Sequence, residues 1–267
     1  MPAAQFDVRV VENRALTGGY FVLEFEAARP VPIAAARPGQ FVMLRGDWGR
    51  ELLNPRAFSI LHAPDDRHFS ILAKVYGRGT ARMAALAPGD PMTATAPLGV
   101  GFPAARARVT QLLVAGGVGL PPLHLQARVA AREVGPRSVE LLYGGRNRDD
   151  LVLLEDFARW GVQTHLATED GSVGARGYVT VALRERIELA RARGEVIELL
   201  SCGPTPMLRA VREIGLAAAR PTYLCLEENM ACGFGACLGC AVPVHGPKPY
   251  RYCCSDGPVF DAREVRW

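Results

Sequence analysis

Three cysteines within nine residues near the end of the chain constrain its fold more than any other feature. They lie in the stretch "MACGFGACLGCAV" (Met230–Val242) as Cys232, Cys237 and Cys240. Six of the seven cysteines fall between residues 225 and 254, and the remaining one is Cys202. Structural disulfides would be spread along the chain and would need an oxidising compartment, so this clustering indicates a metal site.

The spacing of these thiols helps to distinguish an iron–sulfur cluster from a zinc site. Disulfides, zinc, an iron–sulfur cluster and buried free cysteines are the four candidates. C-x4-C-x2-C matches the plant-type 2Fe–2S pattern, which needs a later fourth cysteine, and both Cys253 and Cys254 follow at a suitable distance. Structural zinc usually takes two short-spaced pairs instead. The interleaved Gly233, Gly235 and Gly239 would let the loop turn its N–H groups towards sulfur, so the pattern favours 2Fe–2S.

Length and charge set the broad class. A chain of 267 residues predicts two or three domains. The net charge of +4 is weak and the arginines are scattered, which disfavours a nucleic-acid partner. The most apolar stretch, Gln111–Leu125, is broken by glycines and prolines and is too short to span a bilayer. The start of the chain has no apolar signal core, so we expect a cytoplasmic protein without a membrane partner.

Two different periodicities divide the chain. Short β-branched and aromatic runs such as "YFVLEFEAA" and "HFSILAKVYG" predict about six strands and a small antiparallel β-barrel. From about residue 108, apolar strands alternate with helical stretches, which predicts an α/β domain with a doubly wound parallel sheet. We therefore expect a multi-domain chain with a barrel over 1–104, an α/β domain over 105–220 and a small cysteine module over 221–267.

Two turns at strand ends of the α/β part could bind a nucleotide. "LLVAGGVGLPP" carries Gly116, Gly117 and Gly119 where the first strand meets the first helix, and "LLSCGPTPM" repeats the strand-to-helix turn later in the chain. Glycines let a pyrophosphate approach the backbone, and a ligand at the carboxyl edge of the sheet would meet both turns. The full G-x-G-x-x-G is absent, so a plain tight turn explains the first motif equally well in isolation. Cys202 alone is more often a small buried residue than a reactive thiol, and it is the pairing of the two turns that favours a nucleotide site.

The barrel holds a second set of residues suited to phosphate. "NPRAFSIL" places Arg56 and Ser59 on one strand, and "YGRGTARM" brings Gly77, Gly79 and Thr80 to a helix start. Arginine, hydroxyls and exposed N–H groups bind phosphate well. A surface arginine beside a glycine turn is the simpler interpretation of these residues alone. The chain contains no G-x-S-x-G, P-loop or H-E-x-x-H, which disfavours hydrolases and kinases, and we assign no catalytic side chain.

Taken together, these motifs resemble the ferredoxin-reductase superfamily. More closely, the chain resembles the electron-transfer subunits of the two-component, NAD-dependent (class 1B) dihydroorotate dehydrogenases over essentially its full length. The stretches that carry the resemblance are "LLYGGRNRDDLVLLEDF", "NMACGFGACLGCAV" and "CSDGPVF".

The resemblance implies three cofactors and the residues that bind them. The barrel would bind FAD, the α/β turns would bind NAD, and the tail would hold the 2Fe–2S cluster. The implied FAD contacts are Arg56, Ala57, Phe58, Ser59, Leu72, Ala73, Lys74, Gly79 and Thr80. The implied NAD contacts are Gly116, Gly117, Gly119, Cys202, Gly203 and Pro204. The implied cluster ligands are Cys232, Cys237, Cys240 and Cys254, since Cys254 stands directly before "SDGPVF", where the family has a single cysteine.

The resemblance also implies a partner. The chain would carry electrons between the FMN of a dihydroorotate dehydrogenase catalytic subunit and NAD+, as part of a heterotetramer in pyrimidine biosynthesis, and would not oxidise dihydroorotate alone. Related subunits of sulfide dehydrogenase or ferredoxin:NADP oxidoreductase commonly carry an aspartate where Cys232 stands, which favours dihydroorotate. The loop "APLGVGF" (Ala96–Phe102) departs from the family, so we assign it no flavin contact, and Cys225 is an extra thiol outside the ligand set.

Three questions stay open from the residues. The chain could be a stand-alone flavin reductase that serves a ferredoxin or oxygenase. It could also be a redox sensor whose cluster only reports oxidation. The preference between NAD and NADP is undecided as well, because Arg146 and Arg148 could pair with a 2′-phosphate while Asp149 and Asp150 would repel one.

Overall fold

The first part of the chain forms a closed six-stranded antiparallel barrel, as predicted. The computed structural model describes residues 3–267, apart from the side chains of residues 50 and 51. The strands are β1 (Ala4–Ala15), β2 (Tyr20–Ala27), β3 (Phe41–Arg45), β4 (Arg56–His62), β5 (His68–Lys74) and β6 (Pro91–Leu98). Their order around the barrel is β1-β2-β5-β4-β3-β6, with the short helix α1 (Arg78–Ala84) between β5 and β6.

Alternation of apolar and polar residues closes this barrel. Along β1, Phe6, Val8 and Val10 are buried while the residues between them face outward. Since successive side chains of a strand point to opposite faces, this pattern gives an apolar interior. Phe25 and Phe69 stack inside it with ring centroids 5.1 Å apart. The barrel is therefore filled by side chains, so a bound molecule could contact only its rim and outer face.

The second part is an α/β unit with strands and helices in alternation. Its elements are β7 (Thr110–Gly116), α2 (Leu120–Glu133), β8 (Val139–Gly145), α3 (Leu154–Arg159), β9 (Gln163–Thr168), β10 (Ala175–Arg176), α4 (Val179–Arg193), β11 (Ile197–Cys202), α5 (Thr205–Ala217) and β12 (Thr222–Cys225). The tail adds β13 (Ala241–Pro243), β14 (Tyr250–Tyr252) and β15 (Val259–Asp261). The main sheet runs β10-β9-β8-β7-β11-β12-β15, and all its pairs are parallel except β12 with β15.

Helices cover both faces of this sheet. Leu123 of α2 and Phe157 of α3 belong to an apolar core on one face, and Leu183 of α4 and Val211 of α5 belong to a core on the other. Every residue of β11 is buried, as expected of a parallel strand covered on both sides. The doubly wound architecture predicted from the strand–helix alternation is confirmed.

The tail packs on both of the other parts. β15 adds an antiparallel strand beside β12, so the main sheet continues past residue 220, where the third predicted range begins. The three predicted domain limits themselves stay a prediction. On the barrel side, a Cβ on Gly233 would lie 2.4 Å from Met43 Cγ, and the amide of Val100 donates to the Gly257 carbonyl at 2.5 Å. None of the helices described between residues 3 and 267 is long and apolar enough to cross a membrane.

Candidate functional site

Four of the tail cysteines lie as two neighbouring pairs of thiols. Cys240 Sγ lies 3.2 Å from Cys254 Sγ, and Cys237 lies beside Cys232, whose Sγ accepts the Cys237 amide at 3.4 Å. Among the described residues, no three histidine, cysteine, aspartate or glutamate side chains converge on a single metal ion. Two pairs of thiols suit a two-iron cluster, in which four cysteines are shared between two metals. The donor set therefore fits a 2Fe–2S cluster better than a single structural zinc ion.

Backbone N–H groups point at these sulfur atoms. The amides of Gly235, Cys237 and Cys254 donate to Cys254, Cys232 and Cys240 Sγ at 3.1, 3.4 and 3.4 Å, respectively. Gly235 has a φ of +86°, a conformation that a residue with a Cβ adopts only with strain. Glycine at this position therefore allows the loop to turn its amides towards sulfur.

Hydrogen bonding also favours the thiolate form at Cys232. Partial burial works against the charged form there, but N–H groups of Cys237, Phe234 and Ala236 donate to its sulfur and lower the pKa of Cys232 to about 6. A thiolate is the form that ligates metal. The N–H groups of this loop thus favour the form of Cys232 that ligates a metal.

The two adjacent cysteines of "CC" face different environments. Cys254 Sγ contacts Cys240 and accepts the Gly235 amide, whereas Cys253 Sγ donates to the Leu226 carbonyl at 3.3 Å. Burial raises the pKa of Cys253, which disfavours its thiolate. This arrangement supports Cys254 as the fourth ligand, the residue implied by the resemblance.

The other two cysteines pair with each other inside the main sheet. Cys202 and Cys225 lie opposite each other on β11 and β12, and both are buried. A hydrogen bond with Cys225, together with burial, holds the pKa of Cys202 well above its usual range. The Cys202 thiol therefore points into the core, and any nucleotide contact at this position would use its backbone.

The structure brings the two strand-end turns of the α/β unit into direct contact. A Cβ on Gly119 would lie 2.4 Å from the Cys202 carbonyl oxygen, and a Cβ on Gly116 would lie 2.9 Å from Pro204 Cδ. Gly117 adopts a φ of +51°. Glycines are thus required here for two reasons: the two turns approach each other too closely for a Cβ, and the turn itself uses a positive φ. They leave an open surface at the carboxyl edge of β7 and β11, where doubly wound sheets bind nucleotides.

These turns form one wall of a cleft of about 860 Å³. Gly144 and Gly145 at the end of β8 and the start of α4 continue that wall, and Tyr20 and Tyr76 of the barrel part face it. Glu227, just after β12, also lines the cleft. The cleft is long enough to pass from the β9 side of the sheet to the β12 side.

A buried ion pair joins the barrel to this cleft. Lys74 Nζ lies 2.5 Å from Asp150 Oδ1, and both side chains are less than a tenth exposed. Tyr20 Oη donates to the same oxygen at 3.2 Å, and Arg146 Nε donates to Asp150 Oδ2 at 3.2 Å. Burial would raise the pKa of Asp150, but the hydrogen bonds from Lys74 and Arg146 outweigh it and lower that pKa.

The same network reaches the predicted NAD turn. Tyr143 Oη lies 2.8 Å from the Asp150 carbonyl oxygen and 3.1 Å from the Gly117 carbonyl oxygen. The sequence analysis did not predict this connection. It assigned Lys74 to an FAD contact and treated Asp150 as a carboxylate that would repel a 2′-phosphate. Leu72 and Ala73 are buried and the Lys74 ammonium is already paired, so the predicted FAD contact of this strand would be made by its backbone.

The predicted FAD residues of the barrel lie close together. β4 carries Arg56, Ala57, Phe58 and Ser59 and pairs with β5. A Cβ on Gly79 would lie 1.9 Å from Arg56 Nε, so the guanidinium fills the space left by this glycine at the start of α1. Thr80 Oγ1 accepts the amides of Tyr76 and Gly77 at 2.9 and 3.2 Å, which fixes the turn. An arginine beside such a turn suits a pyrophosphate.

Comparison with known families gives two matches along the chain. Residues 113–213 match the oxidoreductase NAD-binding domain, and residues 227–266 match the iron–sulfur cluster binding domain of dihydroorotate dehydrogenase B. These matched ranges contain the glycine-lined turns and the two thiol pairs, respectively.

Curated relatives are similar over most of their length. The electron transfer subunit of dihydroorotate dehydrogenase B (NAD(+)) from Bacillus caldolyticus is 41% identical over 234 residues, covering 86% of each chain. The subunit of the same name from Caldanaerobacter subterraneus subsp. tengcongensis is 36% identical over 259 residues, covering 96% of each chain.

Solved structures share the fold. An NADH-dependent reduced ferredoxin-NADP oxidoreductase, studied for flavin-based electron bifurcation, superimposes with a TM-score of 0.82 at 24% identity, over 97% of this chain and 90% of that chain. The ferredoxin reductase of carbazole 1,9a-dioxygenase gives a TM-score of 0.71 at 22% identity, over 84% of this chain and 69% of that chain. Both likenesses place the chain in the ferredoxin-reductase-like fold.

Proposed function

Because the chain belongs to the family of electron transfer subunits of dihydroorotate dehydrogenase B, we propose that it carries electrons between the FMN of a dihydroorotate dehydrogenase catalytic subunit and NAD+. It would do so with FAD and one 2Fe–2S cluster, as an oxidoreductase component of pyrimidine biosynthesis. The observation that carries the proposal is the packing of all three candidate sites into one unit. The thiol loop lies on β3 through Gly233, and the ion pair between Lys74 and Asp150 ties the barrel to the nucleotide cleft.

The residues proposed for each group follow the sequence predictions. FAD would be held by Arg56, Ala57, Phe58, Ser59, Leu72, Ala73, Lys74, Gly79 and Thr80. NAD would lie on Gly116, Gly117, Gly119, Cys202, Gly203 and Pro204. The cluster would be ligated by Cys232, Cys237, Cys240 and Cys254.

The protein's contribution is binding and orientation. When bound, FAD supplies the exchange between the two-electron hydride of a nicotinamide and the single electrons of an iron–sulfur cluster. The Arg56 guanidinium provides positive charge for a phosphate, and the glycines of the Gly116–Gly119 turn would let a pyrophosphate approach the backbone before α2. Buried Asp150 holds the barrel and this turn in one arrangement through Lys74 and Tyr143.

We further propose a cytoplasmic location and a heterotetramer with the catalytic subunit. The clustered cysteines lie in thiol pairs suited to metal, which is typical of a chain that works in a reducing compartment. The part of the chain that the structure describes holds one closed barrel, which is assigned to FAD, so the oxidation of dihydroorotate would belong to the partner.

The test is to purify the untagged complex from the native host. We expect one FAD, two irons and two acid-labile sulfides for each copy of this chain, together with an FMN-containing partner that oxidises dihydroorotate. Steady NADH-dependent reduction of an artificial acceptor by this chain would exclude a pure redox sensor. Zinc without iron and sulfide, or an active chain isolated with a ferredoxin or oxygenase instead, would contradict the proposal.

A further inference from the structure

One of the stretches that carry the family resemblance lies outside the proposed cofactor contacts. "LLYGGRNRDDLVLLEDF" contains the end of β8 and then a short turn, Arg148–Asp150, that lies against the barrel. A Cβ on Gly18 would lie 2.7 Å from the Asp149 carbonyl oxygen, and Thr17 Oγ1 donates to that oxygen at 3.4 Å. This turn of the α/β unit therefore docks on the loop between β1 and β2.

The side chain of Asp150 spans this junction. Its Oδ1 accepts hydrogen bonds from Lys74 at the end of β5 and from Tyr20 at the start of β2. Its Oδ2 accepts the Arg146 amide at 3.1 Å and Arg146 Nε at 3.2 Å. Two of these four bonds come from the barrel and two from the α/β unit, so one buried carboxylate ties the two parts together.

The same junction reaches the turn proposed for NAD. Tyr143 Oη lies 2.8 Å from the Asp150 carbonyl oxygen and 3.1 Å from the Gly117 carbonyl oxygen. Tyr20 Oη also lies against this turn, since a Cβ on Gly117 would lie 3.4 Å from it. Asp150 thus stands between β5, which is proposed to contact FAD, and the Gly117–Gly119 turn.

A second contact between the two parts is apolar. Leu125 and Val129 of α2 pack against the core of the barrel. Apolar packing holds two surfaces together without a preferred direction. A buried ion pair with several hydrogen bonds is satisfied in one arrangement only, and fixing an arrangement is the best-supported use of such pairs. The Asp150 junction is therefore suited to set the position of the turn relative to β5.

The proposed reaction depends on that position. NADH, FAD and one proton give NAD+ and FADH2, and the hydride passes only when the reacting atoms approach to roughly 3–3.5 Å in the correct orientation. A displacement of about 1 Å can cost on the order of a hundredfold in rate. A residue that fixes the NAD turn against the FAD strand therefore needs no contact with the reacting atoms to influence the rate.

We infer that Asp150 is a positioning residue for hydride transfer between the nicotinamide and FAD, because its carboxylate fixes the Gly117–Gly119 turn relative to β5. The inference rests on the proposed function for the identity of the two cofactors. The junction itself is made only of residues of this chain, so it can also be tested without turnover.

The experiment compares Asp150→Asn with Glu140→Gln in the FAD- and cluster-loaded complex. Glu140 is the matched control because its mostly buried carboxylate is also paired, with Arg186 of α4, but that pair lies within the α/β unit. Both changes keep the size of the side chain and remove a paired charge, so a general loss of stability should affect both variants. Tyr20→Phe is a milder second variant, since it removes a single hydroxyl from the junction.

The first measurement is single-turnover reduction of bound FAD over a range of NADH concentrations, which separates the limiting rate from the dissociation constant of NADH. Asp150→Asn should lower the limiting rate about tenfold or more and keep the dissociation constant within about threefold, and Tyr20→Phe should lower the rate less. The charge-transfer absorbance of the nicotinamide against the flavin should weaken in the same order. Glu140→Gln should keep the rate and the absorbance of the wild type.

The second measurement is hydrogen exchange of the same complexes before NADH is added. The amides of Thr17–Gly19 and Gly117–Gly119 should exchange faster in Asp150→Asn than in Glu140→Gln, because only the first change loosens the junction between the two parts. This measurement does not depend on the reaction.

A normal limiting rate in Asp150→Asn, or an equal fall in Glu140→Gln, would overturn the role of Asp150. The role would also be overturned by a fall that loss of FAD or weaker NADH binding explains, or by unchanged exchange of the two segments. If NADH does not reduce FAD in the wild-type complex, the proposed function itself fails. If NADH reduces the wild type and Asp150→Asn equally fast, only this inference fails.

Discussion

Cys253 and Cys254 show how the backbone gives neighbouring residues different chemistry. Their side chains point in different directions, so one thiol lies 3.2 Å from Cys240 Sγ and the other donates to the Leu226 carbonyl oxygen. Sequence spacing permits both as ligands, and only the local hydrogen bonds separate them. Single substitutions can therefore test which of these two cysteines is the fourth cluster ligand.

We predict that Cys254→Ser abolishes or severely perturbs the cluster, because it removes one member of a thiol pair. Cys253→Ser is the matched control and should keep a nearly normal visible spectrum and iron content, since that side chain lies outside both pairs. Cys225→Ser should likewise keep the cluster. Iron and sulfide analysis with electron paramagnetic resonance of the reduced protein measures this. A normal cluster in Cys254→Ser with loss in Cys253→Ser would place the ligand one residue earlier.

The Asp150 network gives a second prediction at this scale. Lys74→Met should destabilise the fold by about 3 kcal/mol, because removal of one partner leaves a buried carboxylate less compensated. Arg191→Met is the control, since Arg191 lies 3.9 Å from Glu188 in an exposed pair, and its loss should cost at most about 1 kcal/mol. Urea unfolding of both variants measures the difference. Equal stabilities would show that the pair does not join the two parts of the fold.

At the scale of elements, β4 and α1 meet where Arg56 fills the space over Gly79. We predict that Arg56→Gln weakens FAD binding by about tenfold or more, because a charge-assisted phosphate contact is lost. Arg82→Gln is the control, since it removes an equal charge from the exposed side of the same helix. FAD titration of the flavin-depleted protein checks this, and the same affinity for both variants would argue against the Arg56 contact.

A second pair of elements, β8 and α4, is joined by ionised groups. Arg186 Nε and Nη2 donate to the two carboxylate oxygens of Glu140, each at 2.7 Å. Burial alone would raise the pKa of Glu140, but these hydrogen bonds and one from His165 lower it to about 2 from an ordinary 4.5. The ionised form is thus bound more tightly in the folded state than in the unfolded state.

This shift predicts a pH dependence. A lowered pKa contributes stability that is fully present above pH 4.5 and is lost as the pH falls towards 2. Glu140→Gln should therefore cost about 3 kcal/mol at pH 7, and the gap to wild type should narrow between pH 5 and pH 3. Glu188→Gln, an exposed change on α4, should cost little at any pH. A gap that stays constant or widens towards acid, measured by urea unfolding, would contradict this account.

The sequence predicts the helices and strands more readily than the side-chain contacts between them. Alternation at Phe6, Val8 and Val10 predicts a barrel strand because burial follows the two-residue period directly. The pairing of Lys74 with Asp150 spans 76 residues and leaves no local pattern, so it could not be read from either motif. Short β15 gave no strand signal because its burial depends on pairing with β12.

At the scale of the whole molecule, the three proposed cofactor sites are held in one packed arrangement. The tail contacts the barrel at Met43 and Val100 and completes the main sheet through β15. The thiol loop also leaves Phe234 and Leu238 exposed at the surface. An electron path from a partner through this loop to the barrel and the cleft would therefore stay within parts of the chain that pack against one another.

The central claim is tested most directly by reconstitution. The measurement is the rate of NAD+ reduction with dihydroorotate as electron donor, for this chain alone, for the FMN subunit alone and for the two mixed. We predict no NAD+ reduction by either protein alone and steady turnover by the mixture, and none when the chain carries Cys254→Ser. NAD+ reduction by this chain alone, or a mixture whose dihydroorotate oxidation does not depend on NAD+, would contradict the account.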